Sequence, residues 1–383
     1  MWNWLIAAHA AEPTVGGSIQ PVVSIDLPQA DDFDEEDQVL VDTWARGFAK
    51  GELPRGDLWF VEARVQHHLQ FGEDTEGWWE ASIGDSGWDG KIAGSLRARA
   101  GVLTERWGTL DLLPVSDVLN PREGRSGLAI PGEWAKVPVP MGVISFGNDT
   151  IRAETVLIPF STADRMWVRE QNWSFVRQGM LADELVQIKT EGGWVEPELS
   201  LLNSAATSVA STPVSARRLS DAAINGRNVP EALLANGEIA ERVDLSAGGV
   251  DLGLMFGYLR ARQPESAVAP VLQGILQTGD SVEVSVLSDA LSAGPIAMTW
   301  PRTGVVGLDG STLVGPVQVR LDTMYQSARP VRTFWGGGTS VPYLGAGLGL
   351  DYVRGSNFFV TLESRWQHLV DPPDDLLLSI EDQ

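Results

Sequence analysis

The sequence of 383 residues has no cysteine, which excludes disulfides and thiolate metal sites. Histidine is nearly as scarce, at four residues, so a histidine-rich metal centre is not expected, and no cofactor is called. Cations are few. Against 28 lysines and arginines stand 51 acids, a net charge of -23, and nucleic acid as a partner would need a basic surface to neutralise phosphate. Long hydrophobic runs are also missing: none reaches the roughly 20 residues of a membrane-spanning helix. If the chain enters a membrane it does so as a closed sheet, the other structure that satisfies every backbone polar group in lipid.

What the chain does have is tryptophan, 15 residues against four tyrosines, together with 41 glycines. That balance is compatible with aromatic girdles and tight strand packing in a membrane barrel, and a Trp-rich soluble β-protein shares it. Periodicity carries more information. Across residues 58–71, Trp59, Val61, Ala63, Val65, Leu69 and Phe71 share one face, and Glu62, Arg64, Gln66, His68 and Gln70 share the other. Period two means strand, and this one covers the roughly 9–11 residues that cross a bilayer with tilt.

A second alternation over 91–102 sets Ile92, Gly94, Leu96, Ala98, Ala100 and Val102 opposite Lys91, Ser95, Arg97 and Arg99 and reads as one strand. A Trp107-Gly108 break and an Asn120-Pro121 turn follow it. The segment 104–140 reads as a folded loop, with helix-start chemistry at Ser116-Asp117. Hairpins are expected around 147–149, at 303–325 and at 343–366. Between 161 and 244 the period fails, helical pattern takes over, and a loop or plug insert is expected. About eleven strands result, within the range of membrane barrels.

The ends differ from the middle. Residues 1–10 are apolar and finish in Ala8-His9-Ala10, an A-x-A cleavage site without a basic n-region, which reads as a signal-peptide remnant. Residues 11–56 are acidic, lack a sustained period and read as a solvated segment. Asp32, Asp34 and Glu36 alternate as calcium ligands do, yet the glycine and terminal glutamate of an EF-hand loop are absent. The last residues read as a strand cut short.

Trp107-Gly108, Asp117-Val118-Leu119-Asn120-Pro121-Arg122 and Lys136-Val137-Pro138-Val139-Pro140-Met141 resemble a family of Gram-negative outer-membrane β-barrel proteins known only as a domain of unknown function. Leu157-Ile158-Pro159-Phe160, Gly307-Leu308-Asp309 and Gly315-Pro316-Val317 extend the resemblance, which runs from about residue 57 to the end of the chain. Val102-Leu103 departs from the Arg-Gln usual there. The resemblance implies an all-β fold, an antiparallel transmembrane β-barrel with strands over 57–160 and 245–383. It also implies an outer-membrane location, assembly by the barrel machinery, and lipid and small, apolar compounds as partners. It attaches no chemistry to the motif residues Trp107, Gly108, Asp117, Asn120, Pro121 and Arg122.

Inner-face charges are the site candidates: Glu62, Arg64, Lys91, Arg97, Arg99, Arg152, Glu154, Arg320, Asp322, Glu363 and Arg365. In a low-dielectric wall they select what passes, or they brace a narrow interior as pairs. Arg97 and Arg99, with Arg64 beside them, suit carboxylate or anion contact. No catalytic residue is called: G-x-S-x-G is absent, and Ser126, His67 and His68 with nearby acids form only a nominal hydrolase set. A porin-like channel is the leading expectation. A soluble secreted β-rich ligand-binding protein is the alternative, and the direction of the apolar faces separates the two.

Overall fold

A computed structural model describes residues 13–26, 38–71, 76–123, 135–162, 164, 237–263, 265–268, 296–333, 338–354, 358–373 and 376–377. Every regular element among them is a strand. In chain order they are β1 Thr14–Asp26, β2 Gln38–Glu52, β3 Leu58–Phe71, β4 Glu76–Ile83, β5 Ser86–Ala93, β6 Leu96–Leu103, β7 Val139–Gly147, β8 Ile151–Ile158, β9 Glu238–Ala247, β10 Val250–Arg260, β11 Glu265–Val268, β12 Ile296–Thr299, β13 Arg302–Val314, β14 Val317–Thr333, β15 Gly338–Arg354, β16 Phe358–Leu369 and β17 Leu376–Leu377. One sheet takes fifteen of them in the order β1-β2-β3-β5-β6-β7-β8-β9-β10-β13-β14-β15-β16, with β4 on β3 and β17 on β14, and β11 pairs β12 separately. All pairings are antiparallel. β1 and β16 end the path and do not pair with each other among the described residues, so the closed barrel expected from sequence is met as a long meander with two edges.

The rims differ. At one, tight turns join β2 to β3, β5 to β6, β7 to β8, β9 to β10 and β13 to β14, and Gly56, Gly94, Gly248, Gly249 and Gly315 take positive φ there. At the other, longer connections follow β6, β8 and β10.

Four expectations change. Residues 11–56 contain β1 and β2; Asp42, Trp44, Arg46 and Phe48 turn inward while Thr43, Ala45, Gly47 and Ala49 turn outward. Small outward residues on β2 give too little hydropathy contrast to show a period. Residues 91–102 are two strands: a bulge between Lys91 and Ala93, just before the Gly94 turn, preserves face parity, so the alternation runs straight through the reversal. The insert expected to end at 244 ends earlier, since β9 begins at Glu238. The Ser116-Asp117 segment is irregular, without a helix. The helical pattern expected over 165–236, the signal-peptide reading of residues 1–10 and the alternation of Asp32, Asp34 and Glu36 lie outside the described residues.

The two sheet faces carry opposite chemistry. Ile144 and Phe146, Ile239 and Val243, Leu252 and Phe256, Val306 and Leu308, Leu344 and Leu348, and Leu362 and Trp366 are exposed on the outer face. The inner face holds Glu62, Arg64, His68, Glu154, Asp309, Arg320, Asp322 and Asp351, all buried. Burial comes from curvature. Eight strand steps separate β6 from β16, about 38 Å in a flat sheet. Yet Asp111, eight residues after Leu103 and within about 28 Å of extended chain, bonds Glu363 on β16 through its N–H at 2.9 Å. The sheet therefore wraps around the segment that follows β6.

That segment seats on bare backbone. On the inner face of β15, an added Cβ at Gly345 would meet Val115 at 2.7 Å, one at Gly349 would meet Leu110 at 2.8 Å, and one at Gly347 would collide with Leu110. Leu110 and Val115 belong to the buried apolar cluster with Leu103, Trp107, Leu119, Val139, Met141, Val143, Met324 and Tyr343. Gly347→Ala is expected to cost about 1–3 kcal/mol by overpacking. Gly142→Ala, where a Cβ meets nothing within 4 Å, should be neutral; urea unfolding of the two variants checks the contrast.

Candidate functional site

The site is the excursion 104–120, which leaves the wall at the end of β6 and returns beside its own starting point. Asn120 closes the neck. Its Nδ2 donates to Leu103 O and Val137 O, both at 3.0 Å, and its Oδ1 accepts from Glu105 N at 2.8 Å. One buried amide thus joins the last residue of β6 to the approach to β7, filling the positions a neighbouring backbone would occupy. Pro121 O then accepts from Val137 N at 2.8 Å, and Arg122 bridges Lys136. The motif Asn-Pro-Arg is a seam in the wall, a role the turn reading of Asn-Pro does not contain.

The other motif residues shape the excursion. Trp107 is buried and its Nε1 donates to Glu154 at 3.5 Å. Gly108 has φ of 91°, and a Cβ there would lie 2.5 Å from Asp322 Oδ2 and 2.6 Å from Ser116 Oγ; conformation and space both require glycine. Asp117 pairs with Lys136 at 2.5 Å, and Lys136 also donates to Glu105 O at 2.7 Å.

The far wall holds the tip by its backbone. Glu363 accepts the N–H groups of Asp111, Leu112 and Leu113 at 2.9, 2.8 and 2.8 Å. Asp322 accepts those of Val115 and Ser116 at 3.2 and 3.3 Å. Arg320 sits among them, reaching Thr109 O at 2.5 Å, Asp111 at 2.7 Å, Asp351 at 2.7 Å and Glu363 at 2.8 Å. Charge-assisted bonds of this kind are roughly twice as strong as neutral ones, and here they satisfy a loop that has no ladder.

All eleven charged candidates lie on the inner face, eight of them in three groups. Arg320, Asp322 and Glu363 form the anchor, with Arg365 near it donating to Tyr343 Oη at 3.3 Å. Glu62 and Arg64 pair at 2.5 Å, and Arg152 and Glu154 at 2.8 Å. The expected Arg64–Arg97–Arg99 patch is not assembled: β5 separates β3 from β6, Arg97 pairs with Asp89 at 2.9 Å, and Arg99 pairs with Glu105. Lys91, Arg97 and Arg152 reach solvent at the tight-turn end, the last two with side chains 54% exposed.

Sequence reading missed several partners. Arg242 bridges Asp244 at 2.6 Å and Asp309 at 2.7 Å; the alternation of Arg242 and Asp244 with Val243 and Leu245 was available, hidden by the helical reading of that stretch. Arg262 ties Glu238 at 2.7 Å to Leu119 O at 2.6 Å, and nothing local signals it. His68 is buried and bonds Asp42 at 2.7 Å, while His67 stacks on Trp79 on the opposite face at 4.2 Å; Ser126 lies outside the described residues.

Two consequences are measurable. Asn120→Leu strands two carbonyls and an N–H, and is expected to cost about 3 kcal/mol or more, read by urea unfolding. Burial, opposed by the attraction of Arg99, holds the Glu105 carboxyl above its ordinary value of 4.5. Its folded form therefore keeps a proton that the unfolded chain releases, so stability falls as pH rises above 4.5 toward the folded value. Unfolding curves across that window should show wild type losing stability relative to Glu105→Gln; parallel profiles would contradict this.

No protein-family model and no curated protein matches the sequence. Among solved structures, a triple mutant of the Rhodopseudomonas blastica porin aligns over 92% of this chain and 94% of its own at 8% identity, with a TM-score of 0.31. OmpT, an outer membrane protein of Vibrio cholerae, aligns over 93% and 87% at 8% identity, with a TM-score of 0.32. Likeness at that level carries no argument, and the functional reading rests on the geometry of the chain itself.

Proposed function

We propose that this chain is a Gram-negative outer-membrane β-barrel protein acting as a porin-like channel or transporter for small compounds, with the excursion 104–120 as its constriction. The observation that carries the reading is the direction of the apolar side chains. From β7 to β16 every strand of the sheet carries exposed aliphatic or aromatic residues on its outer face, among them Phe146 at 60%, Phe256 at 45%, Leu362 at 64% and Trp366 at 55% exposure. A soluble monomer rarely shows an apolar patch beyond about 300–600 Å², and this belt crosses eight strands. Lipid is the solvent that removes its cost. Tight turns at one rim and long connections at the other fit the periplasmic and extracellular ends of such barrels.

Inside, the conduit is narrowed by the excursion and lined by charge. Lys91, Arg97 and Arg152 meet a solute at the tight-turn end, and the Arg320 anchor fixes the constriction at the far wall. Cargo of small, apolar compounds is part of the proposal, supported by the resemblance in sequence and by the apolar cluster that the excursion and inner wall share. A soluble ligand-binding protein would turn the same apolar faces toward a core, so the outer belt counts against it.

Outer-membrane fractions from a Gram-negative host, run by semi-native electrophoresis with and without boiling, should contain the protein with heat-modifiable migration. In planar bilayers it should give discrete conductance steps, and the Asp322→Ala/Glu363→Ala variant, which frees the tip of the excursion, should raise the unit step at least twofold. A soluble periplasmic protein with unchanged migration would discard the channel. Equal unit steps in wild type and variant would discard the excursion as constriction.

A further inference from the structure

One residue breaks the apolar rule of the outer face. Followed through every strand pairing of the fifteen-stranded sheet, the outward positions among the described residues carry a single carboxylate, Glu241 of β9. It does not stand at the rim. Leu157, Ile239 and Tyr258 lie side by side on its long-connection side, and Ala153, Val243 and Leu254 on its tight-turn side, so apolar rows bracket it. Its own row holds Thr155 of β8, Phe256 of β10, Val306 of β13 and Tyr325 of β14. Thr155 Oγ1 donates to Glu241 Oε2 at 2.8 Å, and a neutral hydroxyl leaves the charge in place. The outward arginines of β10 and β13, Arg260 and Arg302, face each other four residues along from Phe256 and Val306. The Arg302 guanidinium lies 5.2 Å over the Tyr258 ring, and Glu241 pairs with neither arginine. A carboxylate inside an apolar belt is costly unless a cation reaches it, and such a residue marks a functional site.

The same carboxylate borders a groove of about 420 Å³ that Phe256, Tyr258, Gly304 and Tyr325 also line. Gly304 gives it a floor of bare backbone, where an added Cβ would meet nothing nearer than Ser327 Oγ at 3.5 Å. Tyr258, Phe256 and Tyr325 are 55%, 45% and 40% exposed, so three aromatic rings stand open beside the acid. The volume falls within the roughly 300–1,000 Å³ of small-molecule sites. Acid and rings together suit one chemical group. An ammonium makes a charge-assisted hydrogen bond to a carboxylate and is attracted by the faces of aromatic rings.

We infer that this groove binds a small single-chain amine dissolved in the membrane, its ammonium on Glu241 and its hydrocarbon part over Gly304 between Tyr258 and Tyr325. The inference rests on the outer-membrane reading above and adds a site reached from the lipid rather than from the lumen. A neutral or anionic apolar compound would leave the charge of Glu241 unrelieved. The ammonium of a phospholipid is held at headgroup level, whereas Glu241 lies a full apolar row deeper, a depth that an untethered amine can reach.

The test uses the full chain in dodecyl maltoside micelles, checked for heat-modifiable migration, with three photoreactive probes that share one diazirine-bearing decyl chain: the amine, the alcohol and the carboxylic acid. Peptide mapping after illumination is expected to place the amine at Phe256, Tyr258 or Tyr325, with saturable labelling at least tenfold above that of the alcohol or the acid. Glu241→Gln should bring amine labelling down to the level of the alcohol. Gly304→Leu, which fills the groove and keeps the acid, should lower it at least fivefold. Equal labelling by amine and alcohol would overturn the proposal, as would amine labelling unchanged in either folded variant or spread evenly over β7 to β16. Displacement of the probe by phosphatidylethanolamine at equal concentration would also overturn it, by assigning the groove to a lipid headgroup. Absence of heat-modifiable migration already in wild type would refute the barrel reading instead, so the two failures are distinct.

Discussion

The structure depends on the attachment of the 104–120 excursion to the wall opposite its origin. A curved sheet with a charged inner face must satisfy those charges, and an irregular segment inside it must satisfy its own backbone. The two needs meet at Arg320, Asp322 and Glu363, where two strand carboxylates accept five loop N–H groups and one guanidinium neutralises part of the acid. Removing either partner would leave buried charge or buried amide unpaired, which is costly in a low-dielectric interior. Curvature, inner packing and the glycine stripe of β15 all follow from that attachment.

The seam at Asn120 solves the complementary problem. A strand that sends its chain inward breaks the wall's hydrogen-bonded continuity, and a single amide with both donor and acceptor ends bridges the break. Gly108 and the buried Trp107 then turn the chain toward β14. The residues Trp107, Gly108 and Asn120-Pro121-Arg122 become intelligible as architecture: they mark where the wall is opened and where it is stitched.

The outer face and the inner face place different demands on the same strands. Outward positions need only be apolar, or small as on β2, and aromatic toward the rims. Inward positions must find partners on the concave face, and so pair residues far apart in sequence, as Arg262 does with Leu119 and, over the bare Gly253 of β10, Arg242 with Asp309.

Strand identity and face were legible from sequence wherever hydropathy alternates strongly, because a side-chain period of two is set by the backbone itself. Thus β3, β7, β8, β10 and β13 to β16 were read in place. Where outward residues are small, as on β2, or a bulge restores parity across a turn, as at Ala93 and Gly94, local pattern could not report the structure. Which charges meet was decided only by curvature. Arg320 finds Asp111 and Asp351, and Arg97 and Arg99 find acids instead of one another, because wrapping the sheet sets distances that no spacing along the chain encodes.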